Sequence, residues 1–126
     1  MFHITPQLVV ANLQRSIEFY TAHFGFVVTH RDPPDDPEFV ALEREENNLF
    51  LVSAASRTDA RADALRKAPW GVGVRLYFEV DDAAVMYRHI KDAGIPIVRD
   101  LAVNEDENYM EFLISDPDGY EIGIYS

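Results

Sequence analysis

Asp116-Pro117-Asp118-Gly119-Tyr120 stands between two alternating runs, Tyr109-Met110-Glu111-Phe112-Leu113-Ile114 before it and Tyr120-Glu121-Ile122-Gly123-Ile124-Tyr125 after it. Proline presets φ for the first corner of a turn, aspartate side chains accept from nearby backbone N–H groups, and glycine supplies a positive φ. The pentapeptide therefore folds one strand back antiparallel on the next. Alone it signals a hairpin and nothing more. Its surroundings, however, occur twice in the chain.

Moving back from the hairpin, Asp100–Asn108 reads as an acidic loop and Ile97-Val98 as a short strand. Before them lies a helix capped by Asp81-Asp82, with Met86, Ile90 and Ala93 on its buried stripe and Gly94 as its stop. Val72–Val80 is the strand that feeds it. The first half follows the same plan. Thr5–Ala11 is a strand, Asn12 an N-cap, and Leu13, Ile17, Tyr20 and Phe24 one apolar helical stripe closed by Gly25. Phe26–His30 is a strand, Asp32–Pro37 an exposed loop, and Glu38–Glu43 and Leu49–Ser53 are strands joined by a polar turn through Glu45–Asn48. Ala54–Ala68, rich in Ala, Arg and Asp, is a connector with a helical turn or two, ending near Pro69 and Trp70.

The order β-α-β-β-β thus appears twice. Gly25 and Gly94 are 69 residues apart, Asn47-Asn48 and Asp118-Gly119 are 71 apart, and Leu8–Asn12 matches Phe78–Asp82 in pattern. Three matches in register indicate an internal duplication. The expected fold is α+β, a single domain of two tandem βαβββ modules, at about 3–54 and 71–126, around a connector at about 55–70.

A chain of 126 residues with 48% hydrophobic and 26% charged content suits one globular domain. No apolar run reaches the roughly 18 residues of a membrane span, so no membrane partner is expected and the cytoplasm is the default location. Zero cysteines exclude disulfides, thiolate metal sites and cysteine nucleophiles. The net charge of −11, from 22 acidic and 11 basic residues, argues against nucleic acid, which requires clustered Lys and Arg. A solvated surface accounts for most of that acidity, unless part of it lines a site for a cation.

Further residues carry a family resemblance. Val10-Ala11-Asn12-Leu13 leads to Ser16-Ile17-Glu18-Phe19-Tyr20, then His23-Phe24-Gly25-Phe26. Phe78–Asp82, Ala93-Gly94-Ile95-Pro96 and Asp116–Tyr120 complete the series. In order and spacing the chain resembles the vicinal oxygen chelate superfamily, which includes glyoxalase I, extradiol dioxygenases, and fosfomycin- and bleomycin-resistance proteins. The resemblance implies a curved mixed sheet with helices on its convex face and metal or ligand on its concave face. It also implies a homodimer that completes the cavity.

Enzymes of that superfamily hold a divalent ion with His and Glu at positions that fall here on Thr5, Arg75, Gly123 and, within a residue, Val52. None is a normal ligand: a hydroxyl is weak, a guanidinium is cationic, and glycine and valine bring no side-chain donor. His3, two residues before Thr5, is the one histidine that a slip would bring in, but terminal histidines are usually exposed. His23 and His30 lack acidic or histidine partners at ligand spacing, and His89 lies on the second helix, whose buried face turns away from the cavity. No metal or other cofactor is therefore expected.

Strand alternation sends Leu76, Phe78, Val80, Met110, Phe112, Ile114, Tyr120, Ile122 and Ile124 under the helix. The opposite face receives Arg75, Tyr77, Glu79, Tyr109, Glu111, Leu113, Glu121, Gly123 and Tyr125. In the first module the same parity gives Thr5, Gln7, Val9, Phe39, Ala41, Phe50 and Val52. The candidate ligand-binding residues are accordingly Phe39, Phe50, Trp70, Arg75, Tyr77, Glu79, Tyr109, Glu111, Glu121 and Tyr125: rings for stacking, carboxylates for an amine or cation. Competing readings are that the rings are ordinary core, that Arg75 pairs with Glu79, and that Glu121 faces water at a sheet edge. The leading expectation is a metal-free, bleomycin-resistance-like dimer that sequesters a planar or cationic molecule. The alternatives are a rearranged lyase, isomerase or dioxygenase using His3 with Glu111 or Glu79, and a domain without a small ligand.

Overall fold

Both expected helix caps form. The Asn12 side chain accepts from the Arg15 N–H at 3.0 Å and starts helix α1, Leu13–Phe24. Asp82 accepts from the Ala84 and Val85 N–H groups at 3.0 and 3.2 Å and starts the second long helix, Ala83–Asp92. Each satisfies donors that a helix leaves open at its first turn. The computed structural model describes residues 1–58, 61–67 and 69–126. It divides into two units, Met1–Trp70 and Gly71–Ser126.

In the first unit, strands β1 (Gln7–Val10), β2 (Val27–Asp32), β3 (Phe39–Arg44) and β4 (Asn47–Ser53) form a mixed sheet in the order β1-β4-β3-β2. β1 runs parallel to β4, and the other pairs are antiparallel. Leu8, Val10, Val40, Leu42, Leu49 and Leu51 point to one side and meet α1 through Leu13, Ser16, Tyr20 and Phe24, all buried. Gly25, at φ +70, lets the helix end, and the Arg44 guanidinium donates to the carbonyl of Phe24 at 2.5 Å. The connector contains a 3-10 turn at Ala54–Ser56 and a one-turn helix α2 at Ala62–Leu65. Its residues 59, 60 and 68 lie outside the described residues.

The second unit repeats the plan with β5 (Arg75–Glu79), helix α3 (Ala83–Asp92), β6 (Ile97–Asn104), β7 (Tyr109–Ser115) and β8 (Glu121–Tyr125), in the order β5-β8-β7-β6. Phe112, Ile114, Ile122 and Ile124 are fully buried on one side of the sheet, as is Ile90 of α3. The α+β class and the tandem βαβββ plan are as expected.

The opening hairpin turn is held by a buried carboxylate. One oxygen of Asp116 accepts the N–H groups of Asp118 and Tyr120, both at 2.9 Å, and Gly119 takes φ +94.

Four details differ from expectation. Val72–Val74 is a turn and not strand: Gly71 and Gly73 have φ of +72 and +84, and the Val74 N–H returns to the Gly71 carbonyl. β6 is eight residues long and takes up half of the expected acidic loop, because pairing with β7 outweighs its polar composition. Ala93 is exposed at the end of α3, and Tyr87 instead packs edge-on to Phe112 at 5.2 Å. Asn47 and Asn48 belong to β4, so the turn before it is tight, with Glu45 at φ +55.

Candidate functional site

The sheet faces turned away from the helices differ between the units. In the first, parallel pairing sets Gln7 beside Phe50 and Val9 beside Val52, while β3 adds Ala41 and Phe39. Phe39 and Phe50 meet edge-on at 5.2 Å. Val9, Val52 and Ala54 form a small buried cluster joined by Phe39, Leu65 and Trp70. Apart from Gln7, this face is apolar. Its one loose polar end is the Trp70 indole Nε1, buried without an acceptor among the described residues. Thr5 precedes β1, Val52 is packed in the cluster, and His3 is exposed.

The second unit's face is polar and connected. Register places Arg75 opposite Glu121, Tyr77 opposite Gly123, and Glu79 opposite Tyr125, with Leu113 and Glu111 one strand further on. Gly123 has no side chain, and the Tyr77 ring occupies its space. A Cβ at 123 would lie 2.5 Å from Tyr77 Cε1 and 2.7 Å from Cδ1. The ring thereby spans β8, and its hydroxyl donates to Glu111 Oε1 on β7 at 3.1 Å. Arg75 Nη1 donates to the same hydroxyl at 2.9 Å. The guanidinium carbon lies over the Tyr77 ring, 5.8 Å from its centroid.

Glu111 is the hub. Its Oε2 accepts from the Tyr109 hydroxyl at 2.6 Å, and its Oε1 also accepts from Arg99 Nη2 at 3.2 Å. The Tyr109 hydrogen bond, with those of Tyr77 and the nearby guanidiniums, holds the Glu111 carboxyl below the usual carboxylate range against the opposing effect of burial. Reciprocally, Glu111 pushes the Tyr109 phenol up to about 12. Arg75 forms an ion pair with Glu121 at 2.7 Å, and Tyr125 donates to Glu79 Oε2 at 3.2 Å. Burial, followed by the Glu79 charge, raises the Tyr125 phenol. Tyr125 lies 6.0 Å from Tyr77 at 71° and 5.7 Å from Tyr109 at 32°, centroid to centroid.

Seven sequence-chosen residues thus share one face of the second unit: Arg75, Tyr77, Glu79, Tyr109, Glu111, Glu121 and Tyr125. Phe39, Phe50 and Trp70 belong to the face of the first. Arg75 pairs with Glu121 rather than Glu79, and Glu121 lies on an inner strand rather than at an edge. Arg99 was missed. It lies beyond the two-residue strand that composition suggested, next to bulges that shift the β6 register between 97 and 102.

The chain matches the family model described as the glyoxalase/bleomycin resistance protein/dioxygenase superfamily over residues 1–124. It belongs to that superfamily. It is 28% identical over 106 residues to 4-hydroxyphenylpyruvate dioxygenase from Caenorhabditis briggsae; the match takes in 81% of this chain but 27% of that protein. In fold it resembles TioX from Micromonospora sp. ML1, with a TM-score of 0.77 at 16% identity over 99% of this chain and 98% of that one. It also resembles a glyoxalase/bleomycin resistance protein/dioxygenase from Nocardioides, with a TM-score of 0.76 at 25% identity over 99% and 83% of the two chains.

The superfamily's metal chemistry does not fit the residues present. Among the described residues, no three His, Asp or Glu side chains gather into a possible ion site. The decisive feature is the donor chemistry. Arg75 offers a cation where a ligand is needed, and the space beside Gly123 is filled by a phenol ring. None of the four histidines stands among the hydrogen-bond partners of this face. Among the described residues, no helix is long and apolar enough to cross a membrane.

Proposed function

We propose that this chain binds a planar or cationic small molecule without metal, sequestering an antibiotic-like compound or a metabolite in an acidic aromatic site. The proposed setting is the cytoplasm, and the proposed assembly is a homodimer. One observation carries this reading: Tyr77 lies across Gly123 and bonds Glu111, so that a phenol and a guanidinium stand where a chelating enzyme of this superfamily needs donors. Sequestration requires affinity alone, and exposed tyrosine faces beside carboxylates supply stacking and charge. Tyr77 is half exposed, so the site lies at the protein surface. Within the first unit, Phe39, Phe50 and Trp70 are proposed as ligand contacts of its own apolar face.

The alternative is a glyoxalase-type lyase or ring-cleaving dioxygenase with a rearranged site, a reading favoured by the dioxygenase relative. Glu111 is its natural base, but a carboxylate held ionised by two phenols and Arg99 is a weak proton acceptor near neutral pH. Dimerisation is supported by Val27 on outer strand β2 and by Val98 and Val103 on outer strand β6, each more than half exposed.

The test is elemental analysis of protein purified without added metal, paired with thermal shifts against planar cations and neutral aromatics. Metal-free protein stabilised by such compounds is expected. One tightly bound divalent ion per chain refutes the reading, as does a melting temperature that no compound moves. Light scattering at graded concentrations checks the dimer.

A further inference from the structure

The face of the second unit carries three carboxylates and two guanidiniums, and the pairing between them is uneven. Glu121 is taken by Arg75 at 2.7 Å. Glu111 is taken by Arg99 at 3.2 Å and by the Tyr77 and Tyr109 hydroxyls. Glu79 remains. Its Oε2 accepts a neutral phenol, that of Tyr125, and among the described residues no Lys, Arg or His bonds it. The fixed charge of the face is therefore one negative in excess, and the excess sits at Glu79.

The surroundings of Glu79 suit a cation. Tyr125 reaches it with its hydroxyl, and Tyr77 stands 6.0 Å from Tyr125 at a steep 71°. The two rings meet edge to face, and the Glu79 carboxylate stands at the hydroxyl end of Tyr125, whose electron-rich face favours a cation. The Arg75 guanidinium, held by the Tyr77 hydroxyl and by Glu121, lies over the Tyr77 ring, whereas among the described residues no cation lies over the ring of Tyr125.

We infer that Glu79 is the counter-charge for a singly positive organic ligand, whose ammonium or amidinium group lies against its carboxylate and whose flat body rests on Tyr125. This rests on the proposed binding function and narrows it from planar or cationic to both at once. It also assigns different tasks to the three carboxylates. Glu111 and Glu121 orient the protein's own side chains, while Glu79 selects the ligand's charge.

Benzamidine and benzamide test this directly, because they have nearly the same shape and differ in charge. Each is titrated calorimetrically into the full chain, into Glu79→Gln, and into Glu107→Gln. The last removes the same charge from the exposed turn between β6 and β7. An exposed ion pair and a cation–π contact together favour the cation about tenfold. That preference is expected in the wild type and in Glu107→Gln, and its loss is expected in Glu79→Gln, with benzamide binding unchanged. Equal binding of both probes to the wild type overturns the inference while leaving the binding function standing. A preference that survives in Glu79→Gln overturns the assignment to Glu79. Binding of neither probe overturns both readings.

Discussion

Replacing Gly123 by alanine tests the centre of the site. The new Cβ would lie 2.5, 2.7 and 3.1 Å from Tyr77 Cε1, Cδ1 and Cζ, well inside the roughly 3.5–4.0 Å of a good carbon–carbon contact. The backbone at 123 is outside the left-handed region, so the clash with Tyr77 is the whole obstacle. Tyr77 must swing off β8, and its hydrogen bonds with Glu111 and Arg75 go with it. Overpacking typically costs about 1–3 kcal/mol; a half-exposed ring can escape into solvent, which points to about 1–1.5. In a Tyr77→Ala background the sign reverses. No ring meets the methyl group, and alanine is preferred to glycine inside a strand by roughly 0.5–1 kcal/mol. The double-mutant cycle should therefore show a coupling of about 1.5–2.5 kcal/mol, read from urea unfolding with matched m-values. If Gly123→Ala changes stability equally in both backgrounds, to within about 0.5 kcal/mol, Tyr77 does not occupy the space assigned to it.

The Glu111–Tyr109 pair makes stability depend on pH at both ends of the scale. The depressed Glu111 contributes above its ordinary value of 4.5, and that contribution is lost as pH falls through its lower folded value. The raised Tyr109 contributes fully below its ordinary 10.0 and loses that contribution as pH rises through about 12. Glu111→Gln should flatten both limbs in urea midpoints, and ultraviolet titration should show one tyrosine returning toward its ordinary range. Asp116→Ala strips two turn N–H groups of a buried acceptor and should cost about 1–3 kcal/mol, while Asp116→Asn, which keeps an oxygen, should recover much of it in the same unfolding assay. Asp82→Ala removes the cap of α3 and should cost about 1 kcal/mol in thermal or urea unfolding.

Much of this was legible because alternation and capping are local. Met110, Phe112 and Ile114 could be read as one face, and Tyr109 and Glu111 as the other, without knowing any partner strand. What escaped depended on contacts distant in sequence. Val72–Val74 has the composition of a strand, but Tyr120 packs so close to Gly71 that a Cβ there would lie 2.4 Å from its ring, and the chain turns instead. Arg99 and the length of β6 depend on pairing with β7 through two irregular steps, which one-dimensional periodicity does not register. The partner of Arg75 likewise follows from the parallel pairing of β5 with β8, which places Glu121, 46 positions along the chain, nearer than Glu79.

That register also explains why the chemistry at Gly123 and the position of Tyr77 cannot be varied separately. A side chain at 123 and the Tyr77 ring compete for one volume, so a chelating residue there would exclude the bridge from Tyr77 to Glu111. With Gly123 bare, the bridge forms, Glu111 gains phenol donors, and its carboxylate is committed to the protein. Arg75, at the hydroxyl end of the same ring, then finds its charge answered by Glu121. One missing Cβ therefore accounts for three of the pairings on this face. Glu79 lies outside that chain of consequences, and its carboxylate answers the hydroxyl of Tyr125 and, among the described residues, no cation.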